Sequence, residues 1–263
     1  MSLTGKTLAS TYKDLLQVDN SNNGVGSSTK TIKDGNGSSS AVSISDDHLH
    51  IKPVNDNTTT TLYVRKENGD EVFSVDTSNE LIKAVGNTVN TQYAYFGTDN
   101  TDSAVYAINT HQAIPFSASG NVGNPLYPPA FGTNTEPLTY FTTADSNGAR
   151  ASDLVPMMWF VPDAISIDSV TSIEGADDAN GDTTRMHLYK FNYSNASSNV
   201  LTSGTLLAHN SDVTNAGSEQ LYKSSWTVDS SDVASGSVIL AFFRSDSINS
   251  DYSINVIVKY HLT

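Results

Sequence analysis

The sequence predicts an all-β protein in two parts: an N-terminal attachment and stalk segment of extended chain and short strands over residues 1–90, then a jelly-roll-like β-sandwich over 91–263. Three observations carry that expectation. Of the 28 acidic residues among 263, 22 are Asp and 6 are Glu; Asp competes with the backbone for hydrogen bonds and settles in turns, whereas Glu favours helices. Charged residues make up only 16% of the chain, against roughly 25% in an average domain, and Ser, Thr, Asn and Gly fill the difference. The clearest periodicity is two: Tyr252, Ile254, Val256, Val258, Tyr260 and Leu262 alternate with Ser253, Asn255, Ile257, Lys259 and His261, the pattern of a half-buried antiparallel strand.

Composition also removes function classes. There is no cysteine, so disulfide scaffolds, thiolate metal sites and cysteine nucleophiles are out. The longest apolar run, 154–161, is far short of the roughly 20 residues that span a bilayer, and the first residues lack the apolar stretch of a secretory signal. A net charge of −14 argues against binding a phosphate backbone, which needs clustered Lys and Arg. Neither nucleic acid nor membrane insertion is expected.

Along the chain, Leu8, Tyr12, Leu15 and Leu16 share one face of a short helix over 7–16, too short to stand without a partner surface. Strand candidates follow at 29–33, 41–45, 48–53, 61–66, 71–76 and 80–85. The run from Leu62 to Val75 reads as a hairpin, with Asn68-Gly69 supplying the positive φ angles of a type I′ turn. These strands are thinly apolar, so a single copy of residues 1–90 has little to offset the entropy of ordering its backbone. Its order is expected to come from sister subunits or from a surface it lies on. Seven of eight prolines lie between Pro115 and Pro162, which makes 115–150 an irregular connection. Further strands are expected at 92–96, 104–108, 154–161, 165–173, 184–193, 205–208, 220–228, 237–244 and 252–262, enough for a sandwich.

The opening pattern, Thr11-Tyr12-Lys13-Asp14-Leu15-Leu16, then Asp34-Gly35-Asn36-Gly37 and Ala41-Val42-Ser43-Ile44-Ser45, resembles the N-terminal segment of tailed-phage fibre and virion proteins. The 62–75 hairpin resembles their shaft repeats. Gly175-Ala176-Asp177, the run Gly181-Asp182-Thr183-Thr184-Arg185-Met186-His187-Leu188, Ser250-Asp251-Tyr252-Ser253-Ile254-Asn255 and Val258-Lys259-Tyr260-His261-Leu262 resemble the terminal domain of virion structural proteins from marine, cyanophage-like tailed phages. Together these cover about two thirds of the chain and leave the Pro-rich middle unmatched. The resemblance implies a homotrimer on the virion surface, made in the host cytoplasm, with residues 1–90 bound to other capsid or tail proteins. The C-terminal knob would then face outward, as a surface fibre or a capsid decoration that contacts host-surface glycan or protein. The alternative of another class is a free carbohydrate-binding β-sandwich module.

Candidate chemistry is sparse. His48-Leu49-His50 places two imidazoles on one side of a strand; around a three-fold axis, three such pairs offer six nitrogens to a metal, and otherwise they are exposed histidines on a polar strand. Asp178, Asn180 and Asp182 alternate as oxygen ligands do in calcium loops, but no closing Glu follows and Asn180-Gly181 reads equally as a hairpin turn. No nucleophile elbow, zinc-protease helix or phosphate loop occurs. A glycosidase would need two carboxylates across a cleft, and Glu136, Glu174 and Glu219 are isolated in sequence. No catalytic residue, metal ligand or cofactor is therefore assigned, and the expectation is a protein that is not an enzyme. The Asn-x-Ser/Thr sequons at Asn36, Asn57, Asn192 and Asn195 are the chance product of an Asn-, Ser- and Thr-rich chain. Trp159, Phe160, Trp226, Phe242 and Phe243 are expected in the core, and Tyr127 at the surface.

Overall fold

The computed structural model describes residues 13–21, 23–89, 91–101, 107–116, 130–143, 151–247 and 250–263. It is nearly all β, and it divides into two compact units between Val89 and Asn90.

The first unit consists of two four-stranded antiparallel meanders. One is built from β1 (Gln17–Val18), β2 (Lys30–Lys33), β3 (Ser39–Ile44) and β4 (Leu49–Ile51); the other from β5 (Leu62–Arg65), β6 (Glu71–Asp76), β7 (Leu81–Ala84) and β8 (Asn87–Thr88). The expected 62–75 hairpin is present with a different turn. Gly69 donates to the Lys66 carbonyl at 3.0 Å, and Gly69 alone of the Asn68-Gly69 pair has a positive φ, 92°. Residues 66–69 thus form a type I turn followed by a left-handed glycine, and the register shifts at Val64/Arg65 to absorb the extra residue. Of the expected 7–16 helix, residues 7–12 lie outside the described residues, and Lys13–Leu16 is a turn followed by coil with both leucines exposed.

The second unit is a jelly roll. Its eight principal strands are β9 (Thr91–Thr101), β10 (Gln112–Ile114), β12 (Ile165–Asp177), β13 (Thr183–Tyr193), β14 (Leu201–His209), β16 (Gln220–Ser225), β19 (Ser237–Ser245) and β20 (Asp251–Leu262). One sheet runs β16-β12-β20-β9 and the other β10-β19-β13-β14, all antiparallel. In chain order that is sixth-third-eighth-first against second-seventh-fourth-fifth, the interlocked Greek keys of a jelly roll. Short strands β11 (Trp159–Phe160), β15 (Val213–Thr214), β17 (Thr227–Val228) and β18 (Asp232–Val233) extend the two sheets.

Alternation along the strands fills two cores. Between the sheets lie Phe96, Ile114, Val170, Met186, Leu188, Ile239, Phe243, Tyr252, Ile254, Val256 and Val258. On the far face of the β10-β19-β13-β14 sheet lie Phe131, Phe141, Leu154, Met157, Tyr189, Phe191, Leu201, Leu240 and Phe242. That sheet is therefore buried on both faces, and residues 130–143 cross its outer face as a strap. The Pro-rich region is irregular where it is described, meeting the strands through isolated bridges such as Phe141 to Leu201 and single hydrogen bonds such as Gly204 to Thr139, yet it supplies the second core.

Several expectations change in detail. Residues 154–161 were expected as one strand; instead Ala151–Leu154 is a helical turn, Val155–Met157 a 3₁₀ turn, and only Trp159–Phe160 is strand, because Pro156 has no N–H for a ladder. The 220–228 strand breaks at Trp226, whose indole donates to Ser172 Oγ at 2.9 Å, and the chain passes there from one sheet to the other. Asn180-Gly181 likewise joins strands of different sheets, so it is a corner and not a hairpin. In the expected 104–108 strand, residues 104–106 lie outside the described residues, and Ala107 and Ile108 are not strand.

Candidate functional site

Three places concentrate unusual chemistry, the first in the N-terminal unit. Register places Leu62, Val75 and Ile82 in one row of the second meander and Val64, Phe73 and Ala84 in the next, all on one face. In the first meander Val18, Ile32, Val42, Ile44, Leu49 and Ile51 share a face, joined by Lys30. The opposite faces carry Tyr63, Ser74 and Lys83, and Thr31, Ser43 and His50. None of these apolar residues is buried: among the described residues of this unit only Ser45, Ser74 and Asp76 are. Asp76 is held below the usual carboxylate range, chiefly by its hydrogen bond from the Asn79 side chain.

The histidine pair belongs to this unit. His48 precedes β4 and its Nδ1 lies 3.2 Å from Ser45 Oγ, and the two imidazoles meet edge to face at 5.9 Å. His50 points to the polar face, opposite Leu49 and Ile51. Among the described residues no three His, Asp or Glu side chains are grouped to hold a metal.

The second place is the outer face of the β16-β12-β20-β9 sheet. Tyr93, Tyr95, Ile173 and Leu221 stand exposed there. Two adjoining hollows of about 520 and 220 Å³ share Gly175, Leu221 and Ser253, and Asp177, Glu219 and Asp251 rim the larger. Gly175 lines both, and a Cβ there would come within 2.9 Å of Ser253 Oγ.

The third place lies beneath the strap, on the outer face of the other sheet. His111, just before β10, and His187 on β13 are both fully buried, with ring centroids 5.0 Å apart. His111 Nε2 is 3.0 and 3.1 Å from the Asn134 and Thr135 carbonyls of the strap, while its Nδ1 is buried without a partner. Glu136 reaches in from the strap; its Oε2 accepts from Tyr189 Oη at 2.9 Å and lies 3.1 Å from His187 Nε2, out of line for a hydrogen bond. His209 stacks 6.5 Å from His187 and pairs with Asp229 at 2.8 Å. Burial, reinforced by the Arg185 and Arg244 charges, pushes His111 down to about 4; burial and the neighbouring His111 and arginines push His187 down to about 3.

The remaining sequence candidates scatter. Asp178 and Asn180 point to solvent on either side of buried Ala179, and Asp182 accepts from Ser250 Oγ, so the three oxygens do not converge. Glu136, Glu174 and Glu219 occupy three separate places. Glu174 is buried between the sheets, where Thr184 Oγ1 reaches both its oxygens at 2.9 Å, and burial raises it to about 7. Trp159, Trp226, Phe242 and Phe243 are buried as expected, but Phe160 is 49% exposed, packing edge-on against Tyr193 at 6.1 Å. Tyr127 lies outside the described residues. The buried histidines are 76 residues apart, so the sequence carries no local sign of their pairing beyond an imidazole at an alternating position of the 184–193 strand. No protein-family model matches the chain, and no curated protein matches it.

Proposed function

We propose that the chain is a non-enzymatic structural protein of a tailed-phage virion, assembled as a homotrimer, with residues 1–90 as its assembly and attachment segment and residues 91–263 as its surface domain. One observation carries this reading: each of two amphipathic meanders gathers its apolar residues on one face, and none of those residues is buried, with Leu49, Ile51, Val64 and Ile82 exposed. Half-buried and exposed Leu, Ile, Val and Phe in register contribute little to ordering a backbone by themselves; the further burial that offsets chain entropy has to come from outside the unit. Identical copies meeting around a closed axis bury the same face in every subunit. The His48–His50 pair, on the polar side of its meander, then faces away from the packed surface. The fibre-type motifs at 11–16, 34–37 and 41–45 are consistent with this assembly and motivate its assignment to a virion.

Replacing Val64 and Ile82, 46% and 46% exposed, by Asp tests the reading. Both sites are exposed within one copy, so the double variant should keep the jelly roll and its thermal transition while losing the trimer in native mass spectrometry. A trimer that survives both charges would count against these faces as the assembly surface. A second reading, a free carbohydrate-binding module, is favoured by the outer sheet face with exposed Tyr93 and Tyr95 and the Gly175 hollow. It predicts that residues 92–263 alone retain glycans on an array, and an array with no retained sugar would remove it.

A further inference from the structure

We propose that His111 and His187 form an acid-released latch that holds the 130–143 strap on the outer face of the jelly roll. The strap is fastened at both ends by backbone hydrogen bonds: Phe131 donates to the His111 carbonyl at 2.7 Å and His111 to the Gly132 carbonyl at 2.9 Å, while Gly204 donates to Thr139 at 2.7 Å and Phe141 bridges Leu201. Between these ends it is held by polar contacts to imidazoles, from Asn134, Thr135 and Glu136. The interior beneath is poorly suited to added protons. β13 contributes Arg185, His187 and Tyr189, β19 contributes Arg244, and β14 contributes His209. Of the surrounding carboxylates, Asp212 lies 3.5 Å from Arg185 and Asp229 2.8 Å from His209; Glu136 alone faces the pair, 3.1 Å from His187 Nε2, and it is 45% exposed to water and already accepts from Tyr189. Arg244 is satisfied by Asn109, a neutral partner.

Two imidazolium ions 5.0 Å apart, beside two guanidinium groups and out of water, repel strongly, and burial itself disfavours each charge. Lifting the strap gives both rings to solvent, where they take up protons at the ordinary value near 6.5. Each proton is thus bound more tightly by the open form, and acid drives the equilibrium towards opening. The released surface is apolar, comprising Phe131 and Phe141 on the strap and Phe191, Leu240 and Phe242 on the sheet. Acidification would therefore expose a sticky face while the inter-sheet core remains intact. The latch lies wholly within residues 91–263 and does not depend on the assembly reading.

Hydrogen exchange of the full chain between pH 7 and 5, corrected for intrinsic rates, tests the proposal. Below about pH 6.5 the strap amides of 131–141 should open about tenfold more per pH unit for each histidine, so up to about a hundredfold for two. The β20 amides should change less. H187Q should cut the strap's dependence to about tenfold per unit, and H187F gives the same reading where Gln packs poorly. A strap whose opening is flat from pH 7 to 5 overturns the latch. So does a strap that opens only together with β20, or a pH dependence unaltered in both variants.

Discussion

Glu174, between the two sheets, and the two buried histidines, beneath the strap, set opposite pH dependences. Glu174 holds its proton up to about pH 7 in the fold and to 4.5 when exposed. The native state binds the extra proton between those values, so its contribution to stability falls as pH rises from 4.5 to 7, by up to about 1.4 kcal/mol per pH unit. His111 and His187 titrate near 4 and 3 in the fold against 6.5 when exposed. There the unfolded state binds more protons, and stability is lost as pH falls below 6.5. Denaturant titrations of Glu174→Gln across pH 5 to 8 should show the first slope gone and the second retained. Thr184 Oγ1 can donate to the amide oxygen that replaces the carboxylate, so the variant is expected to fold. A wild-type slope kept in the Gln variant would place the ionisation elsewhere.

At the scale of elements, the strap and strand β14 depend on Gly204. A Cβ there would lie 2.7 Å from the Thr139 Cα and 2.7 Å from Phe191 Cε1, closer than real side chains approach. Gly204→Ala should therefore destabilise the surface domain by about 1–3 kcal/mol, read as a lower urea midpoint with the m-value unchanged; an unaltered midpoint would mean the strap does not press on β14. Strand elements were largely legible beforehand. The 71–76 strand and the alternation from Tyr252 to Leu262 are local patterns of period two, and the sequence carries them without ambiguity. Features set by non-local partners were not legible. The strap supplies a second core because sheet β10-β19-β13-β14 has apolar residues on both faces, and alternation read one strand at a time does not show what covers the second face. Phe160 is exposed for a related reason: Trp159 beside it faces the inter-sheet core, so Phe160 lies on the other face, where burial depends on cover; Phe242 and Phe243, neighbours on β19, are both buried, whereas Phe160 is 49% exposed. The turn at Asn68-Gly69 differs by one residue of loop length, a choice the dipeptide alone leaves open.

For the whole molecule, the two units differ in how they are stabilised. Residues 91–263 enclose two apolar cores, whereas the described part of 1–89 encloses none and displays two apolar faces. The all-β class and the weak self-sufficiency of the N-terminal third both followed from composition: many Asp, Ser, Thr and Asn residues, with few large apolar ones. The burial pattern adds which faces are unmet. If those faces pack between copies, stability of the N-terminal unit is linked to subunit concentration, and that of the jelly roll is not. The most direct measurement is the native mass of the full chain beside a truncated chain beginning at Gln92. The account predicts a species of about three times 28.1 kDa for the full chain and a folded monomer for the truncation. A full-length monomer with its N-terminal strands protected from exchange would contradict it.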